Sequence, residues 1–200
     1  HGEKNVLFKE EDEIEVHKPD YIQWKNRFVL TSVKSGVMII DIRRAYERIL
    51  YEQFIHSLAH NQGIAQRELY PAKLDLDPAN YLIMQEIKEE LSKLGIEISE
   101  LGSTTITVNS CPAGIDPPDL QEMVESLLEE YKQTGQKVGG SVSKGVAGAL
   151  AKAASKGMDR HLQPTEIQQL VDELFACENP GYCPGGKKII TIITLDEIEK

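Results

Sequence analysis

From Tyr21 onward the apolar positions fall into two rhythms, one of period two and one of period 3.6. Arg27-Phe28-Val29-Leu30-Thr31-Ser32-Val33 is β-branched and aromatic, Lys34-Ser35-Gly36 is turn-forming, and Val37-Met38-Ile39-Ile40 is a short apolar run. The pattern predicts a hairpin with a buried second strand. After Asp41, residues Tyr46, Ile49, Leu50, Phe54 and Leu58 recur at helical spacing, which predicts about four turns. Three later helices are predicted from proline at the first helical position, at Asp77-Pro78, Asp116-Pro117 and Gln163-Pro164. Proline fits there because its missing N–H would have had no intrahelical partner, and Asp is a good cap. One-sided apolar stripes follow the last two, through Leu120, Met123, Val124, Leu127, Leu128 and Tyr131, and through Ile167, Leu170, Val171, Leu174 and Phe175. Strands are predicted at 95–98 and 104–108. The strongest of all is 188–194, Lys-Ile-Ile-Thr-Ile-Ile-Thr. The acidic stretch through Pro19 reads as a linker end or an edge strand.

Strand-rich ends around a helix-rich middle predict an α/β (mixed α+β) fold of two lobes. The ends, 1–65 with 183–200, would pair into one sheet, and 66–182 would be inserted as a second lobe. A sheet with a strand as apolar as Ile189 to Ile193 has a face that must be covered, by a second copy of the chain or by one of its own helices.

Composition narrows the function. Two hundred residues at 40% apolar content can bury a real core. Acids outnumber bases 32 to 22, for a net charge of −10, which argues for weak or no direct contact with nucleic acid. No apolar run is long enough to span a bilayer and no signal pattern opens the chain, so a cytoplasmic protein with reduced thiols at Cys111, Cys177 and Cys183 is expected. A start at His1 suggests a segment of something longer.

The stretch Asp41-Ile42-Arg43-Arg44-Ala45-Tyr46-Glu47-Arg48-Ile49-Leu50-Tyr51-Glu52 resembles the D-Q-H-A-x2-E-x4-E motif of the MutL family of DNA mismatch repair proteins, in the C-terminal domain of its nuclease-bearing members. Cys183-Pro184-Gly185-Gly186-Lys187-Lys188 is similar to that family's C-P-H-G-R-P segment, and Arg160-His161-Leu162 through Phe175 to the helix before it. The resemblance implies a dimerisation lobe made from both ends, with a regulatory lobe between. It also implies a homodimer that recruits other mismatch repair proteins, with the family's ATPase in an upstream region.

In nuclease-competent relatives, the resemblance implies, Asp, His and Glu of the first motif, a middle-lobe Cys, and Cys and His of the second hold one or two divalent metals that activate a water. Carried over, Asp41, Glu47 and Cys183 match. Arg43 and Gly185 replace the two His, and Lys152 stands near the middle-lobe Cys. A guanidinium or an ammonium has no lone pair to give a metal and adds a like charge beside it. The expectation is therefore no catalytic residue, no metal and no cofactor in this domain. The alternative is a residual metal-dependent nicking nuclease using Asp41, Glu47, Glu52, His161 and Cys183. Apart from the family, Arg43 with Glu47 and Arg48 with Glu52 are helical ion pairs, and Asp41 is a helix cap.

Gln66-Arg67-Glu68-Leu69-Tyr70-Pro71 is similar to the peptides that dock in the hydrophobic pocket of the sliding DNA clamp, with Leu69 as anchor, Gln66 as polar contact and Pro71 closing the pattern. A linker strand between lobes explains the same residues. Gly139-Gly140-Ser141-Val142-Ser143-Lys144-Gly145 lacks the Lys-Ser/Thr of a phosphate loop and reads as a loop leading into an alanine-rich helix.

Overall fold

Asp41 is where the chain turns from sheet to helix in a computed structural model that describes residues 20–117, 119–135 and 141–200. The stretch through Pro19 and the pair Gly139-Gly140 lie outside the described residues. Strands β1 (Ile22–Trp24), β2 (Phe28–Val33) and β3 (Gly36–Asp41) form an antiparallel meander, and the Asp41 carboxylate accepts from the Arg44 amide at 3.0 Å to cap α1 (Ile42–His60). That satisfies one of the helix's orphan donors. The strand β7 (Ile190–Thr194) returns from the far end of the chain to pair with β3, giving the order β1-β2-β3-β7. Gly36 makes this closure possible. Its φ is +151°, and a Cβ there would stand 2.0 Å from the Ile193 carbonyl oxygen.

A second antiparallel sheet, ordered β4-β6-β5, is built from β4 (Ala65–Asp75), β5 (Ile98–Glu100) and β6 (Thr105–Pro112). Helices α2 (Pro78–Lys93), α3 (Leu120–Glu130) and α4 (Val142–Ser155) share its core. The prolines at Pro78 and Pro164 open α2 and α5 (Pro164–Ala176) as expected. At the third position the structure differs. Asp119, and not Asp116, caps the helix, accepting from Glu122 N at 3.0 Å. Pro117 precedes a second proline, which pushes it out of the helical region. The strand expected at 95–98 also begins later. Gly95, at φ +91°, terminates α2, and pairing starts at Ile98 opposite Val108.

Two apolar clusters meet along α1. Ile42, Ala45 and Ile49 pack with Val29, Ile40 and Ile189, whereas Leu50 and Phe54 pack with Ile106, Leu127 and Leu150. Leu162, Ile167, Leu170, Val171 and Leu174, which the sequence reading put in the inserted lobe of 66–182, join the terminal cluster. They cover the inner face of the terminal sheet. Gln23 ties β1 to this layer, donating to Arg160 O and accepting from Leu162 N, both at 2.8 Å. No helix among the described residues is long and apolar enough to cross a membrane.

Candidate functional site: a cleft between α1 and α4

Small residues bring α4 against α1. Gly145, Ala147, Ala149, Ala151 and Ala153 are buried, and a Cβ at Gly148 would already touch the Tyr51 ring at 4.0 Å. Lys144, Gly148 and Lys152 are spaced by four, so they lie along one face of α4. Opposite them stand Asp41, Arg43 and Glu47 from the start of α1. The turn Cys183-Pro184-Gly185 closes the end, held by Cys183 N donating to Lys187 O and Gly186 N to Cys183 O, each at 2.9 Å. The result is a cleft of about 490 Å³. Six of the seven positions singled out by the degenerate motif line it: Asp41, Arg43, Glu47, Lys152, Cys183 and Gly185.

Glu52 is elsewhere. Its carboxylate accepts from Glu178 N at 2.8 Å and Asn179 N at 3.4 Å, and pairs with Arg48 at 3.4 Å, so it pins the segment after α5. The helical ion pair expected between Arg48 and Glu52 forms. Arg43 and Glu47 face one cleft without a direct bond. His161 does not line the cleft either, and sits in the exposed approach to α5.

Charge in the cleft is mostly positive. Arg27, Arg43, Arg44, Lys144, Lys152 and Lys187 stand against Asp41 and Glu47. Asp41 is fully engaged, capping α1 and pairing with Arg27 and Arg44 at 3.5 Å each. Lys152 reaches across to the buried Glu130 at the end of α3, at 2.5 Å, with Lys156 on the second oxygen at 3.3 Å. Burial alone would raise the Glu130 carboxyl, but the two ammonium groups hold it below the usual range. Glu47 behaves in the opposite way. Burial pushes its carboxyl up, only partly offset by the charges of Lys152, Arg43 and Lys187.

These residues do not fit a divalent metal. A metal needs deprotonated donors free to converge on it. Asp41 is spent on two arginines, and what remains is Glu47 and the buried Cys183, faced by cations. Among the described residues, no three His, Cys, Asp or Glu side chains converge on one point.

Residues 21–174 match the model of the MutL C terminal dimerisation domain. The chain belongs to that family. It is 38% identical over 191 residues to the DNA mismatch repair protein MutL of Phocaeicola vulgatus, covering 96% of this chain and 31% of that protein. The MutL of Bacteroides fragilis is 37% identical over 180 residues, covering 90% of this chain and 29% of that protein. That of Parabacteroides distasonis is 34% identical over 186 residues, covering 93% and 30%. The chain thus spans under a third of the length of these relatives.

Some residues that line the cleft or bind its lining carry no motif signal in the sequence. Arg27 ends the β1–β2 turn and Glu130 ends α3, and neither falls in a motif. Lys144 falls in the glycine-rich stretch that leads into α4. Its spacing of eight from Lys152 was the available signal that both look into one cleft. The expected clamp-binding residues fall on β4. Gln66 pairs with Cys111 across the ladder, and the register slips between Arg67 and Ala72. This bulge leaves Leu69 91% and Tyr70 90% exposed, with Pro71 beside them.

Proposed function

We propose that this domain pairs with a second copy of itself through the terminal sheet and so tethers the remainder of a MutL-like DNA mismatch repair protein, without cutting DNA. The observation that carries this reading is an apolar outer face on the terminal sheet. Cross-strand partners place Ile22, Leu30 and Ile39 in one row, Trp24 beside Phe28, and Val37 beside Ile193. Their neighbours Val29 and Ile40 point the other way and are fully buried. Ile22 is 65%, Trp24 51% and Ile193 37% exposed, a contiguous apolar surface that soluble monomers rarely carry. Among the described residues, β7 is also an edge strand, with ladder groups open to a further strand. The dimerisation that names the family, and the relatives' identity as DNA mismatch repair protein MutL, support the same reading.

We further propose that the Leu69 bulge is a docking segment for the sliding clamp, supported by its exposure and by the Gln66–Pro71 pattern. The central test is sedimentation of the chain at micromolar concentration. A dimer is expected, and a strict monomer overturns the tether. Manganese-dependent nicking of supercoiled plasmid is expected to stay at background. Nicking abolished by Asp41→Asn would overturn the non-catalytic reading.

A further inference from the structure

We propose that the cleft between α1 and α4 is an anion site that holds a single phosphate group, as inorganic phosphate or as a phosphomonoester at the end of a larger molecule. Asp41 neutralises Arg27 and Arg44, and Glu130 takes Lys152. Arg43, Lys144 and Lys187 remain with no ion pair among the described residues. Arg43 and Lys187, together with Lys152, act on the same carboxylate of Glu47, so their charges converge on one region. In a molecule of net charge −10, three cations without an ion pair among the described residues stand in one concave place, where low-dielectric walls concentrate the field. Gly145, Gly148 and Gly185 line the walls without side chains, leaving room close to the backbone.

The uncommitted set suits a phosphomonoester better than the alternatives. Arg43 supplies a planar fork that can bond two phosphate oxygens, and two ammonium groups add point charges. Three cations match a dianion better than the single charge of a phosphodiester. A carboxylate could use the fork but would leave two cations unmatched. The adverse group is Glu47, which faces the ligand with a competing negative charge when ionised. Arg43, whose charge is adverse to a metal, is the residue whose fork suits an anion.

The test uses the 200-residue chain at low salt. Inorganic phosphate is titrated by calorimetry, and a fluorescein-labelled single strand with a 5′-phosphate is compared by anisotropy with the same strand ending in a 5′-hydroxyl. Arg43→Ala and Lys187→Ala are each expected to weaken phosphate binding about tenfold. Lys144→Ala, at an exposed position, gives a smaller loss in the same direction and guards against misfolding. Glu47→Gln is expected to tighten binding several-fold, roughly three to ten times, by removing a like charge. That is the opposite of its effect on a metal site. Competition between free phosphate and the phosphorylated strand assigns the site to strand ends as well, and failure to compete assigns it to small phosphates. Equal binding of both strands confines the site to small phosphates, whereas no calorimetric binding of phosphate, phosphate affinity unchanged in Arg43→Ala and Lys187→Ala, or weaker binding in Glu47→Gln would each overturn the proposal.

Discussion

The two sheets have the same plan and opposite outer faces. In the inserted lobe, Leu74, Ile106 and Val108 point inward and are buried, while Lys73, Thr107 and Ser99 form a polar row on the other side. That side bonds within itself: Thr105 Oγ1 donates to Asp75 at 2.6 Å and Asn109 Nδ2 to Ser99 Oγ at 2.8 Å. In the terminal sheet the inner face is equally apolar, but the outer face carries Ile22, Trp24, Leu30, Val37, Ile39 and Ile193. An antiparallel sheet needs only one apolar face to hold its helices. The second apolar face of the terminal sheet is more than holding its own helices requires, and it is the face proposed above to pair with a second copy.

The largest effects test whether the two inner faces are equivalent. Ile40→Ala and Ile106→Ala each delete a fully buried side chain and are expected to cost about 2–5 kcal/mol in denaturant unfolding. Only Ile40→Ala should also weaken self-association, since Ile40 underlies the paired sheet. Equal loss of pairing in both would break the distinction between lobes. Next comes the outer face. Ile193→Glu is expected to weaken the dimer about a hundredfold, because it buries an unpaired charge, whereas Thr107→Glu at the matching place on the other sheet should leave sedimentation unchanged.

Smaller effects concern the edges. The Glu166 carboxylate, bonded to Arg160 at 2.8 Å and to Gln163 N at 2.7 Å, is held down to about 2 from 4.5. Arg160 is first among the causes. A depressed carboxyl contributes stability above its unfolded value and loses it as pH falls through the folded one. The stability gap between the protein and Glu166→Gln should thus be complete above pH 4.5 and vanish towards pH 2. It should be under about 1 kcal/mol, because the group is exposed and screened. Leu69→Ala should leave the unfolding midpoint unmoved, within about 0.5 kcal/mol, while reducing capture of the chain by an immobilised sliding clamp. Undiminished capture removes that assignment.

Much of the fold was legible because its elements are locally consistent. The hairpin before Asp41, the cap itself and two proline-started helices follow from near-neighbour chemistry. Asp116 is a misleading cap signal, because a proline at 118 disfavours the helical region for Pro117. The outer face was legible in part: the run at 188–194 announced a surface needing cover, yet Ile22 and Trp24 sit on a three-residue strand too short for periodicity to reveal.

The sequence by itself determined the side-chain chemistry available to the cleft, since Arg43, Lys152 and Gly185 are identities and need no coordinates. It also set the end-to-end pairing of the chain, through two strongly apolar strands at its extremes. Only the tertiary structure decided what the cleft's charges do. Lys152 found a buried Glu130 twenty-two residues away in sequence, Asp41 took two arginines, and α5 left the inserted lobe to cover the terminal sheet. Charge pairing and burial depend on distances between segments that local pattern does not encode, so those choices were made by packing.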